Sequence, residues 1–170
     1  MRYISSDTNI WIDFATVNAL SLPFRLDHIY YMSRDALEDE WITPKGRGND
    51  LQQLGVQAVD ITTDEFFYAI SQRERNPAIS AYDAIALAIA KKRGYILLTG
   101  DKALRKAAEK ENIEVHGTLW IFDELTQTGT ITEDEYFNFM MALKKHNGST
   151  IRLPAAEIEK RIQKSKGSQD

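Results

Sequence analysis

The sequence predicts an α/β protein in which a parallel sheet is covered by helices on both faces. Strand-like and helical segments alternate along the 170 residues, as they do where helices connect parallel strands. Ser80 to Arg93 has the apolar spacing of a helix, and Gly94 follows it as a C-terminal glycine does. The next segment, Tyr95 to Thr99, is a continuous apolar run that is typical of a buried central strand.

The first half of the chain predicts three strands, each with a helix after it. Runs of β-branched, aromatic and other apolar residues predict the strands, at Arg2 to Asp7, Asp27 to Met32 and Val56 to Ile61. Helical spacing predicts the helices, at Asn9 to Leu20, Arg34 to Ile42 and Thr63 to Arg73. The composition of Thr43 to Asp50, which includes a proline and two glycines, predicts a loop.

The second half predicts one more strand and a series of helices. An edge strand is expected at Ile113 to Val115. The helices are expected at Lys102 to Lys110, Leu119 to Thr126, Glu133 to Lys145 and Ala155 to Lys164. We divide the chain into a main domain, residues 1–150, and a C-terminal helical tail, residues 151–170.

Composition excludes several classes of protein. The chain has no cysteine, which excludes disulfides, thiolate metal sites and cysteine nucleophiles. Its three histidines lack metal-ligand spacing, which argues against a zinc enzyme. No signal-peptide pattern and no apolar run of membrane-spanning length is present, so we expect a cytoplasmic protein. The net charge of −4 argues against a general nucleic-acid coat but permits a local basic rim.

Four carboxylates are predicted to meet at one edge of the sheet. In a parallel sheet, ligands bind at the carboxyl ends of the strands. Asp7 ends the first strand, Asp101 follows the strand Tyr95 to Thr99 after one glycine, and Glu40 lies in the short helix after the second strand. Asp83 lies in the first turn of the helix that precedes Tyr95. That helix runs antiparallel to the strand, so Asp83 also lies at this edge.

Such a cluster predicts a site for a hard divalent cation. Like charges raise each other's pKa, and a cation removes that repulsion. Oxygen ligands suit Mg²⁺ or Mn²⁺, which activate water and stabilise charge on a phosphodiester. Thr8, Asn9 and Thr99 offer neutral oxygens nearby. Lys102 and Arg105, which begin at the acidic edge, are candidates for contacts with phosphates.

Each acid also has a structural explanation. Asp7 could cap the helix near Asn9, and Asp101 could cap the helix that starts at Lys102. Ser80 and Asp83 match a capping box. Glu40 could be a solvated surface residue, and two further acids, Glu38 and Asp39, stand beside it. The common placement of the four acids at one edge favours the metal site over four unrelated caps.

Two segments together resemble the PIN-domain family. They are SDTNIWIDF near the start and YDAIALAIAKKRGYILLTGDKALRKAAEKENIEVHGTLWIFDEL later in the chain. The sequence is most similar to the toxin nucleases of VapC type and to related uncharacterised bacterial PIN proteins. The resemblance covers residues from Arg2 to about Leu125. Its motifs are individually short, and it is their order and spacing together that are specific to the family.

The resemblance implies a three-layer α/β/α fold with a roughly five-stranded parallel sheet. It also implies Mg²⁺- or Mn²⁺-dependent cleavage of single-stranded RNA by the toxin of a toxin–antitoxin pair. Asp7, Asp83 and Asp101 match the family's metal-binding aspartates. Glu40 fits the register of the family glutamate better than Glu38 does. Asn9 and Thr99 match supporting positions, and an antitoxin protein and a second copy of the chain are the implied partners.

Other functions fit the sequence less well. A catalytically silent PIN-like scaffold that binds RNA or protein is the main alternative, but such a copy would be expected to lose one of the four acids. A phosphatase of the haloacid-dehalogenase kind needs an aspartate at the position of Asn9. A receiver domain needs paired acids after the first strand, where only Asp7 stands.

Overall fold

A five-stranded parallel sheet forms the centre of the fold. The computed structural model describes residues 1–40 and 47–168, without the side chains of Glu40 and Arg47. The strands are β1 (Arg2–Ser6), β2 (His28–Ser33), β3 (Gln57–Val59), β4 (Ile96–Leu98) and β5 (Val115–His116), in the order β3-β2-β1-β4-β5. All four pairings are parallel, which confirms the predicted α/β class and its five-stranded parallel sheet.

The chain forms two compact units. The first unit, residues 1–10 and 27–116, contains the sheet; the second contains residues 11–26 and 117–170. The helices are α1 (Thr8–Thr16), α2 (Arg47–Leu54), α3 (Thr63–Arg75), α4 (Ala81–Arg93), α5 (Lys102–Lys110), α6 (Thr118–Gln127), α7 (Glu133–His146) and α8 (Ala155–Gly167). Helices α2 to α5 belong to the first unit and α6 to α8 to the second, while α1 begins in the first unit and continues into the second.

The core of the first unit lies where α4 meets the strands and the neighbouring helices. Small side chains such as Ala84 and Ala88 of α4 are fully buried together with Leu87, Leu97 and Leu104. Alanines on a helix allow its backbone to approach its neighbours closely, which leaves room for the larger leucines. The side-chain hydroxyl of Ser5 in β1 donates a hydrogen bond of 2.8 Å to the carbonyl of Ala86. This bond fixes α4 along the central strand.

The second unit is built around aromatic side chains. The rings of Phe14 and Phe122 lie 5.1 Å apart, and Phe122 lies 5.2 Å from Phe139. Trp11 stacks on Phe24 at 5.2 Å, as expected for a core tryptophan. The predicted division of the chain at residue 150 stays a prediction. Among the described residues, no helix is long and apolar enough to cross a bilayer.

Several element boundaries differ from the prediction. The helix expected to reach Leu20 ends at Thr16, because Asn18 adopts a φ of 56°, which a continuing helix does not allow. The short helix after β2 is a single π-helical turn, Ala36–Glu40. The predicted loop is wrong for Arg47 to Asp50, which form the first turn of α2, and its earlier residues 43–46 lie outside the described part.

We expect Gly48→Ala to destabilise the first unit. A Cβ at Gly48 would lie 2.0 Å from the carbonyl oxygen of Leu37, far inside van der Waals contact, so the π-helical turn or α2 would have to move. Overpacking of this kind costs about 1–3 kcal/mol in the free energy of unfolding, which urea denaturation measures. Gly167→Ala is the matched control, since open space surrounds Gly167. An equal stability of both variants would contradict the close approach.

The buried carboxyl of Asp13 predicts a dependence of stability on pH. Burial raises the pKa of Asp13 to about 6, although the hydroxyl of Thr118, which donates a 2.7 Å hydrogen bond to it, opposes the shift. The free energy of unfolding therefore falls by about 3 kcal/mol in total as the pH rises from the ordinary pKa of an aspartate through 6. Asp13→Asn keeps the bond to Thr118 and should be more stable than the native chain at pH 7 but not at pH 4. Urea denaturation across this range measures the difference, and a constant difference would contradict the shift.

Candidate functional site

The order of the strands marks one place in the sheet. The sheet grows from β1 through β2 to β3 on one side and from β4 to β5 on the other, so the direction of strand addition changes between β1 and β4. In open α/β sheets, ligands bind outside the carboxyl ends of the strands at such a switch point. Ser6 pairs with Leu98 at the carboxyl ends of these two strands, so Asp7 and Thr99 leave the sheet side by side.

The hydroxyl of Thr99 connects the ends of the two strands. It donates a hydrogen bond to Oδ2 of Asp7 and accepts one of 3.0 Å from the backbone N–H of Asp101. Oδ1 of Asp7 accepts a hydrogen bond of 3.1 Å from the N–H of Ile10 in the first turn of α1. Thr99 is fully buried and Asp7 is 5% exposed, so the orientation of this carboxylate is fixed from two sides.

Asp101 stands at the start of α5. Its Oδ1 accepts a hydrogen bond of 2.8 Å from the N–H of Leu104, which makes it the N-cap of the helix. One turn further, Nη2 of Arg105 donates a 3.4 Å hydrogen bond to the carbonyl of Thr99. The guanidinium of Arg105 therefore lies beside the backbone of Thr99, and its predicted contact with a phosphate stays a prediction. Lys102 is exposed in the first turn of the same helix.

Asp83 reaches the same edge from α4. Its Oδ2 accepts a 2.9 Å hydrogen bond from the N–H of Ser80, and the hydroxyl of Ser80 accepts one of 3.1 Å from the N–H of Asp83. This is the predicted capping box. Burial raises the pKa of Asp83, its hydrogen bonds with Ser80 lower it, and the negative charge of Asp101 raises it. The last effect shows that Asp83 and Asp101 are close enough to repel each other.

The π-helical turn after β2 is held at the start of α4. The hydroxyl of Tyr82, the residue before Asp83, donates a 2.9 Å hydrogen bond to Oδ2 of Asp39. The turn ends at Glu40, whose side chain lies outside the described part of the structure, so its predicted role and the choice between Glu38 and Glu40 stay predictions. Sequence analysis did not identify this tyrosine–aspartate contact, because a helical tyrosine carries no signal of a partner 43 residues away.

Asp7, Asp83 and Asp101 have the capping role that the structural explanation predicted, and their role in a common metal site stays a prediction. Asp7, Asp83 and Asp101 each accept a hydrogen bond from a backbone N–H at a helix start. They also lie at one edge of the sheet. The hydroxyl of Thr99 links Asp7 to the backbone of Asp101, and the negative charge of Asp101 acts on Asp83. Asn9 is exposed in the first turn of α1, and the structure does not test its supporting role.

A comparison with protein families decides the classification. A family model described as "DUF3368: PIN domain" matches residues 3–167. The chain belongs to the PIN-domain family. The match begins within β1, includes β2 to β5 and extends to the end of α8. No curated protein matches the sequence.

PIN domains generally use divalent metals, and the chemistry of the site fits such an ion in part. Three carboxylates supply hard oxygen ligands, and the repulsion between two of them favours a cation. Among the residues that the structure describes, however, no group of three or more acidic or histidine side chains is close enough together to hold an ion. In this structure the three carboxylates are oriented by the hydrogen bonds that cap the helices.

We expect Asp101→Asn to lower the pKa of Asp83. The variant removes the negative charge that raises this pKa, while its amide oxygen can still accept the hydrogen bond from Leu104 that caps α5. Titration of the side-chain carboxyl carbons by NMR measures the pKa directly. Glu109→Gln removes the same charge at the other end of α5 and is the control that should leave Asp83 unchanged. Equal pKa values of Asp83 in all three proteins would show that the two aspartates are not coupled.

Proposed function

We propose that this PIN domain is a divalent-metal-dependent endoribonuclease that hydrolyses single-stranded RNA at the edge formed by Asp7, Asp83 and Asp101. The observation that carries the proposal is the hydroxyl of Thr99, which joins Asp7 to the backbone of Asp101 at the switch point of the sheet. PIN domains are typically nucleases, which supports the same reaction class. Mg²⁺ and Mn²⁺ both suit carboxylate ligands.

The side chains divide the proposed work between them. Asp7, Asp83 and Asp101 would hold the cation, and Glu40 is a further candidate ligand or an acceptor that orients the attacking water. When bound, the ion would activate water and offset the charge on the phosphodiester. Thr99 fixes the carboxylate of Asp7 through its hydrogen bond, so this ligand is oriented before substrate arrives.

Two basic residues beside the acids support an RNA substrate. Arg105 is held by the carbonyl of Thr99, and Lys102 is exposed in the same first turn of α5. A guanidinium can form two parallel hydrogen bonds with a phosphate, so Arg105 would orient the backbone of the RNA next to the metal ligands. Lys102 would add a point charge that attracts the strand. Supporting contacts from Asn9 belong to the same proposal.

A toxin role in a toxin–antitoxin pair, with an antitoxin protein as partner and a cytoplasmic location, is part of the proposal. Its support is the similarity of the sequence to PIN toxins of VapC type. The helical tail, residues 151–170, would follow the nuclease domain, residues 1–150. The alternative is a silent PIN scaffold that binds RNA or protein, and the observation in its favour is that all three described aspartates already cap helices.

A cleavage assay on a fluorescent single-stranded RNA tests the proposed reaction. The native chain should cleave the RNA with Mg²⁺ or Mn²⁺ and lose this activity in EDTA. Asp7→Asn and Asp101→Asn should each reduce the rate of cleavage by roughly 100-fold or more. Each variant loses a carboxylate ligand of the cation that would stabilise the negative charge of the transition state. Circular dichroism should show that both variants stay folded, since an asparagine can still accept the capping hydrogen bonds.

The control for this assay is Glu109→Gln, which is purified in the same way and removes one exposed carboxylate far from the edge. Its rate should equal that of the native chain. A contaminating nuclease would act equally in all preparations, so undiminished cleavage by Asp101→Asn would contradict the proposal. If no protein cleaves RNA and neither metal raises the melting temperature of the native chain, the scaffold replaces the nuclease.

A further inference from the structure

A cavity lies in the second unit, where α8 meets α6 and the start of α7. Its volume of about 370 Å³ lies within the range of small-molecule sites, roughly 300–1,000 Å³. One face of α8 forms a wall of the cavity, because residues three and four apart lie on the same face of a helix. The residues of that wall include Lys160, Arg161, Lys164 and Ser165.

A network of paired charges lines part of the cavity. The guanidinium of Arg161 donates from Nε to Oδ1 of Asp123 at 3.0 Å and from Nη2 to Oδ2 at 2.8 Å. The hydroxyl of Tyr136 donates a further bond of 2.6 Å to Oδ1 of Asp123. Nη1 of Arg161 donates a bond of 2.9 Å to the carboxylate of Glu157. Both acids are therefore already compensated by donors, so they oppose an anionic ligand less than two unpaired carboxylates would.

Three donors in the same cavity have no partner. The ammonium groups of Lys160 and Lys164 form no ion pair or hydrogen bond with the part of the chain that the structure describes. Ser165 is 3% exposed, and its hydroxyl has no hydrogen-bonding partner among residues 1–40 and 47–168. Burying a hydroxyl without a partner costs free energy, which a ligand oxygen that accepts from Ser165 would recover. The cavity therefore offers an excess of donors, as a phosphate group requires.

The rest of the cavity suits a larger ligand than inorganic phosphate. Glu133, at the start of α7, also lines it. A carboxylate disfavours a second phosphate and accepts hydrogen bonds from sugar hydroxyls, as an acid does for the ribose in dinucleotide sites. Gln127 of α6 lines the cavity as well, and its amide both donates and accepts, which suits the edge of a base. These side chains favour a phosphate that is attached to a nucleoside.

We propose that this cavity of α6, α7 and α8 binds a nucleoside monophosphate, with the phosphate held by Lys160, Lys164 and Ser165. The carboxylate of Glu133 accepts hydrogen bonds from the ribose. All residues that line the cavity belong to the second unit, whereas Asp83 and Asp101 belong to the first. The inference therefore does not depend on the proposed ribonuclease.

Isothermal titration calorimetry of the full chain with adenosine 5′-monophosphate tests the site. EDTA is present, so that no metal at the acidic edge can hold the phosphate. One nucleotide should bind per chain, and Lys164→Gln should raise the dissociation constant by roughly 10-fold, because a charged donor to the phosphate is lost. Lys166→Gln is the matched control, since both lysines lie in the last turn of α8 and only Lys164 lines the cavity. No binding at millimolar nucleotide, or an equal loss in both variants, would overturn the proposal.

Ser165→Ala separates binding from folding. The variant removes a buried hydroxyl that has no partner among the described residues, so the melting temperature without nucleotide should stay equal or rise. The dissociation constant for adenosine 5′-monophosphate should nevertheless increase several-fold. A purely structural serine would not change the affinity, so unchanged binding by the folded variant would overturn the placement of the phosphate.

Inorganic phosphate and adenosine, titrated separately, distinguish a nucleotide site from a simple anion site. Each should bind more weakly than adenosine 5′-monophosphate, because each makes only part of the contacts. Glu133→Ala should weaken binding of the nucleotide but not of inorganic phosphate. Asp134→Ala, in the same turn of α7 but outside the cavity, should weaken neither. Inorganic phosphate that binds as tightly as the nucleotide would overturn the assignment of the ligand.

Discussion

The parallel pairing of β1 with β4 is the constraint on which the candidate site depends. Because both strands point the same way and Ser6 pairs with Leu98, Asp7 and Thr99 leave the sheet at neighbouring points. The hydroxyl of Thr99 then uses both of its hydrogen-bonding capacities, donating to Asp7 and accepting from the N–H of Asp101. One buried threonine thus orders two acids that are 94 residues apart in the chain. A shift of one residue in this register would turn Thr99 away from the edge.

Capping a helix and binding a cation are compatible uses of the same carboxylates. Asp7, Asp83 and Asp101 lie at the starts of α1, α4 and α5, where the positive ends of the helix dipoles favour a negative charge. Each cap also fixes the orientation of its side chain, and a carboxylate has more acceptor sites than one N–H occupies. The pKa of Asp83 is raised mainly by burial and in smaller part by the negative charge of Asp101, and a bound cation would relieve the repulsion between these two carboxylates.

Much of the fold and part of the site could be predicted from the sequence, because they depend on local patterns. The apolar run at Tyr95 to Thr99 identified the buried strand β4, which lies next to the central strand β1, and Gly94, with a φ of 70°, ends α4 as predicted. Ser80 and Asp83 form the capping box that their spacing indicates. The convergence of Asp7 and Asp101 also followed from sequence, because every strand of a parallel sheet presents its carboxyl end at one edge.

By itself, the sequence determined the elements, the class of sheet and the edge at which the aspartates gather, since periodicity, capping patterns and chain direction are encoded over short distances. Only the tertiary structure decided which distant groups meet. The contact of Tyr82 with Asp39, the bond from Thr99 to Asp7 and the burial of Asp13 against Thr118 all join residues 43 to 105 positions apart. Such partners are selected by the packing of whole helices and strands, and no local pattern specifies a partner at that distance.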